Sequence, residues 1–391
     1  MREMREASCP SRDLPGPTAL AVRTLVLAAL TGCVHTRQAT GPILQFPPVT
    51  ITAGDALDRE LAQLNAAELF AKGRAAYGAS DFALAARCFT RGADFFPDDP
   101  LHAALSYNAG LALMQEQQWN LAYERFHILA NAKTGTGDAL DAALQEATCD
   151  YMLDDYAAAA SILGQLTART DIPETQRLSA EVDLGVCQVE ESLLTEGEHS
   201  LRDALRAYTR DQTDQRMPED VAAKAEFFLG EIYKIYFSAV KLDPAHRSVD
   251  ELATDLEEKA EELLSAQGHY LRAIRIGSPH WATGAGYRIG SLYEELYDAM
   301  VTAPIPADLD AEEAEVYREE LRKRIRVLVT KAINIYDQTL AAASRIGEDN
   351  PFVAQTHDNL ERMKKILLDD PKEAEATSAA AGEPDGGAGK P

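Results

Sequence analysis

The chain has 391 residues, is 46% hydrophobic and carries a formal net charge of −25 at neutral pH. That length allows two or three ordinary domains or one long solenoid. The acidic balance repels phosphate, which excludes a nucleic-acid binder and a protein held to an anionic membrane by charge. An alanine-rich, aromatic-poor composition with few β-branched runs excludes a sheet protein and leaves all-α.

Residues 1–32 read as a secretory leader. Arg23 precedes the apolar run Thr24 to Leu30, which is too short to span a bilayer, and small residues follow. Leu30-Thr31-Gly32-Cys33 resembles the lipobox of bacterial lipoproteins. That resemblance implies that the Cys33 thiol is acylated and becomes the first residue of the mature protein, with palmitate or a similar chain. Glu3, Glu6, Asp13 and Cys9 do not suit a leader, so translation is expected to start later, near Leu20 or Val22. Residues 33–54 hold Gly41, Pro42, Pro47 and Pro48 without helical period and read as a tether.

A lead-in helix begins at Asp55 with Leu57, Leu61 and Leu64, expected to cover the open end of a stack. One spacing then governs the chain from Ala66 to Pro173. Phe82, Trp119 and Tyr156 lie 37 residues apart. At the same interval fall Gly73, Gly110 and Ala147, then Ala85, Ala122 and Ala159, then Phe89, Phe126 and Leu163. Each copy reads as two helices joined by a short polar turn such as Ala79-Ser80-Asp81. The small residue lets the second helix approach, the aromatic wedges the pair, and the later Phe or Leu is a buried ridge. One such hairpin cannot bury its own apolar face, so neighbours must stack.

These columns resemble the tetratricopeptide repeat (TPR) family, carried in the first copy by Gly73, Phe82, Ala85, Phe89 and Pro97. The period is 37 rather than about 34, and the mid-helix tyrosine sits one place late, at Tyr77 and Tyr151. The resemblance implies that the first helix of each pair lines a concave face. Its lining would be Phe70, Arg74 and Tyr77 in copy one, Tyr107, Leu111 and Met114 in copy two, and Leu144, Tyr151 and Met152 in copy three. Such an apolar and aromatic stripe suits an apolar peptide or helix, unless these side chains are core or the lead-in segment fills the groove.

After Pro173 the period loosens. Leu184-Gly185 restores the small-residue column, Ala204 and Tyr208 read as the matching second helix, and a longer turn is expected around Thr195-Glu196-Gly197. Repeats are thus expected over 55–217. Residues 218–368 read as extended helical hairpins: Phe228-Leu229-Gly230 starts another pair, and the last third reads as two more enlarged hairpins, punctuated by Ser278 as an N-cap with Pro279 at the first helical position and by the same device at Asn350-Pro351. The longest helix is expected from about Asp308 to Arg345, and Glu312 to Arg326 reads as a solvated face with internal acid–base pairs. This block faintly resembles TPR proteins of the gliding-motility machinery of myxobacteria, around Trp281 to Pro306. Residues 369–391 lack an apolar stripe and read as a disordered tail.

Motifs for catalysis are missing. No His pair flanks a Glu at zinc-protease spacing, no phosphate-cradling Gly-Lys-Ser/Thr occurs, and Gly284, Gly286 and Gly290 read as helix packing. His269, His280 and Trp281 read as core or turn residues. No enzyme activity, metal or other cofactor is expected. Cys149 and Cys187 sit 38 apart and are open to a bridge, but buried free thiols, Cys88 included, are the preferred reading. The expectation is an all-α, TPR-like lipoprotein scaffold on the outer membrane, facing the periplasm, that binds other proteins and no nucleic acid. The alternatives are an assembly chaperone or pilotin for an outer-membrane machine, or a cytoplasmic adaptor if the leader is not one.

Overall fold

The computed structural model describes residues 56–131, 137–210, 217–242, 249–303, 305 and 309–368. The leader, the tether, Cys33 and the tail at 369–391 lie outside them. The chain divides into two compact units, Met1–Gln63 and Leu64–Pro391. In the first, the described residues form one short helix, α1 (Ala56–Leu61).

Every regular element described in the second unit is helical: α2 (Ala66–Gly78), α3 (Phe82–Phe95), α4 (His102–Gln115), α5 (Trp119–Ala130), α6 (Gly137–Met152), α7 (Tyr156–Thr167), α8 (Glu174–Glu190), α9 (Leu194–Arg210), α10 (Glu219–Ala239), α11 (Val249–Ile276), α12 (Pro279–Thr302), α13 (Ala311–Ile346) and α14 (Pro351–Leu368). Consecutive helices pack against each other, and the even-numbered ones also meet: α2 with α4, α4 with α6, α8 with α10, α10 with α12, and α12 with α14. The result is an all-α, TPR-like stack of antiparallel pairs, α2/α3 through α12/α13, closed by the single helix α14.

One lock holds every pair. A small residue on the even helix faces a large one on the odd helix. A Cβ added to Gly73 would lie 2.6 Å from the Phe89 ring, and one on Gly110 2.5 Å from Phe126. Ala147 and Leu163 share one buried cluster in the third pair. Gly185 meets Leu201 at 2.8 Å, Gly230 meets Tyr270 at 2.5 Å and Gly290 meets the Tyr336 ring. Only a glycine, or at most an alanine, lets the helices come this close. Ala85, Ala122 and Ala159 are fully buried beneath the crossings, as their column requires. Phe82, Trp119 and Tyr156 are half-buried wedges.

The hairpin turns are also periodic. Ser80, Gln117, Asp154 and Ser192 all adopt positive φ, between 58° and 65°. Each ends its even helix in the left-handed conformation that closes a helix C-terminus. Asp81 and Asp155 then cap the next helix by accepting from the backbone N–H of Leu84 and Ala158, each at 3.0 Å.

Two expectations are corrected. Thr195, Glu196 and Gly197 are not a long turn: they form the first turn of α9, and the link from α8 is as short as in the earlier copies. Gly197 sits inside the helix because it occupies the alanine column, where a Cβ would meet Val189 Cγ2 at 2.8 Å and the Gly185 carbonyl at 3.1 Å. The repeat therefore runs through four copies. Ser278 precedes α12, but its hydroxyl makes no cap and donates to Asp220 Oδ1 at 2.7 Å. Asn350 does cap, accepting from Val353 N at 3.2 Å.

The long hairpins add polar pins. Tyr270 donates to Glu231 Oε1 at 2.6 Å, and Arg288 reaches the same oxygen at 2.8 Å. Tyr336 and Asn359 both donate to Glu294 Oε2 at 2.8 Å, and Arg362 donates to Oε1, tying α12, α13 and α14 together. Lys259, buried, donates to the Phe237 and Val240 carbonyls at the end of α10. The helix expected from Asp308 to Arg345 is α13, opened by a capping box between Asp310 and Glu313.

Candidate functional site

The nine residues expected on the lining face occupy α2, α4 and α6. None of them is buried: Arg74 is exposed, and Phe70, Tyr77, Tyr107, Leu111, Met114, Leu144, Tyr151 and Met152 are half-buried. Each aromatic rests one side on its own hairpin. Phe70 tilts against Phe89 at 5.9 Å between centroids and carries the Arg74 guanidinium over its ring at 6.0 Å. Tyr77 stands edge-on to Phe82 at 5.1 Å, Tyr107 edge-on to Phe126 at 5.5 Å, and Tyr151 lies against Tyr156 at 5.3 Å. Leu111 and Met114 pack on the core of the first pairs, and Leu144 on that of the third and fourth. These contacts fix the side chains in place while part of each surface faces solvent, which makes a preorganised apolar face.

Between α6 and α8 the face opens into a small cleft of about 60 Å³, lined by Leu144, Thr148, Tyr151, Val186 and, from α10, Lys224. Tyr151 spans it by donating to Glu190 at 3.1 Å, and Lys224 pairs with Asp183 at 2.6 Å. Burial, then the Glu190 carboxylate, holds the Tyr151 phenol protonated well above the ordinary tyrosine range. Sequence reasoning missed Asp183, Glu190 and Lys224. Stepping 38 residues from Thr148 and Met152 lands on Val186 and Glu190, so the period itself held part of that signal.

The remaining candidates are structural. Cys88, Cys149 and Cys187 are buried free thiols, so Cys149 and Cys187 are not bridged. Burial first, then neighbouring carboxylates, pushes Cys149 up to about 12, and Cys187 is likewise pushed up to about 12 by burial and Asp183. Thiols so far from thiolate are inert at neutral pH. His269 is buried, stacks on Tyr233 and lies 2.7 Å from Glu226 Oε2. His280 packs against Trp281 and Phe352. Gly284, Gly286 and Gly290 receive Phe352, Thr339 and Tyr336 as packing contacts. Among the described residues no group of three or more His, Cys, Asp or Glu could hold a metal, and no helix is long and apolar enough to cross a membrane.

A second polar cluster sits at the α5/α6 junction. Glu146 and Asp150 are buried one turn apart on α6, and His127 Nδ1 lies 2.6 Å from Glu146 Oε1. Burial, then Glu146 and Asp155, pushes Asp150 up to about 6 against the opposing pull of His127.

The class this architecture defines is the TPR-like α-solenoid of stacked helix pairs. Solved structures with a similar fold include a tetratricopeptide repeat protein from Parabacteroides merdae ATCC 43184, 13% identical, with 76% of this chain and 98% of that one covered and a TM-score of 0.38. A Rap protein complexed with Competence and Sporulation Factor matches at 13% identity over 80% of this chain and 79% of its own, TM-score 0.36. A TPR repeats protein from Bacteroides fragilis NCTC 9343 matches at 13% identity over 76% and 99%, TM-score 0.27. These are likenesses of fold. No protein-family model matches the chain, and no curated protein does.

Proposed function

We propose that the protein is a lipid-anchored scaffold that binds other proteins in the periplasm through the face built by α2, α4 and α6. The observation that carries this reading is the state of the lining residues: all but Arg74 are aromatic or apolar, the aromatics rest on their own hairpins, and none of the nine is buried. Rigid aromatics and methionines with one open side give contact area at little ordering cost. The anchor is the acylated Cys33, and the tether at 33–54 sets the reach. Val34 is not the aspartate that often retains lipoproteins at the inner membrane, which favours the outer membrane. Two or three acyl chains at about 0.8 kcal/mol per buried CH₂ hold such a protein permanently. A place in a motility or other envelope-spanning complex would fit a passive scaffold of this kind.

The test is site-specific photocrosslinking in cells. A crosslinker at Tyr107, Leu111 or Met114 is expected to trap discrete protein partners, and one at the outward position Leu121 is not. Equal yields from both sets would overturn the groove. Incorporation of a palmitate analogue that Cys33→Ala fails to abolish would overturn the anchor.

A further inference from the structure

Helix α13 is twice as long as the helix that returns along it. Its 36 residues span about 54 Å and the 18 of α14 about 27 Å at 1.5 Å per residue. The two are pinned along the C-terminal half of α13, through Asn359 to Tyr336 and Lys364 to Asp337. The outer half of α13 therefore runs on past the end of α14. There a groove of about 570 Å³ lies between α12 and α13, and Ile366 and Leu367 of α14 line it too. Its apolar lining includes Leu321, Ile325 and Val329, and Val301 of α12 is 50% exposed in it. Among the described residues no carboxylate lines it, in a chain of net charge −25.

The charge in the groove is basic. Arg318, Arg322 and Arg326 follow one row of α13 at steps of four residues and all line it. Arg318 has only an exposed pair with Glu315, which is worth at most about 1 kcal/mol. Arg322 is exposed and meets no carboxylate among the described residues. The chain that leaves α14 has the opposite charge. After Leu368 come Asp369-Asp370-Pro371-Lys372-Glu373-Ala374-Glu375, four carboxylates against one lysine. Pro371 disfavours helical backbone at Asp370, so the helix does not continue through this segment.

We propose that residues 369–375 of this chain lie along the groove as an extended strap, antiparallel to α13. Direction favours it: α14 runs towards the N-terminal end of α13, so a chain that keeps that heading passes Arg322 and then Arg318. Reach favours it too. Seven extended residues span about 23 Å, and the row from Arg318 to Arg326 spans about 12 Å at 1.5 Å per residue. The carboxylates meet the arginines, while Pro371 and Ala374 lie on the apolar floor. Attachment selects this occupant over a second copy or a separate acidic partner. A segment joined directly to the groove is present at an effective concentration in the millimolar range, so contacts that are weak one by one suffice. These seven residues cannot order alone, but a preformed surface supplies what they lack. The strap covers the floor and gives the last pair the polar outer face that the end of a stack needs.

Crosslinking within the full chain tests it. A benzophenone side chain in place of Val301, irradiated in low salt, is expected to join to the peptide that holds residues 369–375 of the same chain. The tail variant Asp369→Lys/Asp370→Lys/Glu373→Lys is expected to lower that yield at least about threefold, as is salt of about 1 M, which screens charges beyond about 3 Å. This variant changes no described residue, so the fold is not at stake. Reversing the groove with Arg318→Glu/Arg322→Glu is expected to lower the yield as much. Combining both sets of changes is expected to restore it, which also shows that the groove variant folds. A yield that the tail variant or salt leaves unchanged overturns the proposal. So does a combined variant that fails to restore it, or a product that joins two chains or falls mainly within residues 376–391.

Discussion

The first four helix pairs and the last two use the same contact in different lengths of chain. In the short pairs the small residue and its large partner are 16 residues apart, from Gly73 to Phe89 and from Gly185 to Leu201. In the long pairs they are 40 and 46 apart, from Gly230 to Tyr270 and from Gly290 to Tyr336. The large partner changes from Phe or Leu to Tyr, whose hydroxyl then donates to Glu231 or Glu294. A three-residue turn fixes the register of a short hairpin by itself. A hairpin of 24- and 36-residue helices has no such constraint, so a buried polar pin near mid-length sets where the helices meet. One link between short pairs is the partly exposed pair of Arg125 with Asp94.

Removing a pin should hurt most. Glu294→Ala leaves Tyr336, Asn359 and Arg362 without their shared buried carboxylate, and a loss of about 3 to 5 kcal/mol is expected in urea unfolding. Asp94→Ala, its counterpart in the short pairs, should cost no more than about 1 kcal/mol. Equal losses would break the comparison.

Overfilling the lock comes next. Gly290→Ala drives a methyl into a ring whose hydroxyl is tethered, so about 3 kcal/mol is expected. Gly110→Ala meets Phe126, which has no tether and can tilt, and should cost about 1 to 2 kcal/mol. Thermal unfolding of the two variants side by side decides whether the tether matters.

The buried pair Glu146 and Asp150 belongs to the short copies and acts through pH. An unfolded Asp150 ionises near its ordinary value of 3.8, the folded one at about 6. Its contribution to stability is therefore full below about pH 4 and is lost as pH rises through about 6. Asp150→Asn should flatten stability between pH 4 and 7 and stabilise the protein at pH 7 by roughly 2 kcal/mol. An unchanged pH profile would show that the carboxylate is screened by solvent.

The smallest effect is at the turns. Gln117→Gly relieves a side chain held at φ 58° but adds freedom to the unfolded chain. These oppose each other at about 1 kcal/mol each, so a net change within about 0.5 kcal/mol is expected from chemical denaturation.

The short copies were legible in the sequence because each lock lies within one repeat, where a fixed interval exposes it. Gly73, Ala85 and Phe89 announce their roles by recurring, and the structure keeps those roles. Gly197 escaped because a glycine standing in an alanine column looks like a turn. Only the approach of α8, with Val189 and the Gly185 carbonyl against it, shows that it lies inside a helix. The nine candidate residues stood out in the sequence as a stripe, but whether their side chains met solvent depended on neighbours far along the chain. The lengths of the late helices, the pairing of Gly290 with Tyr336, the pin at Glu294 and the charged groove beside α13 were decided by tertiary packing alone. Periodicity records contacts made at a constant separation along the chain, and contacts between side chains 40 or more residues apart at unequal intervals leave no period to read.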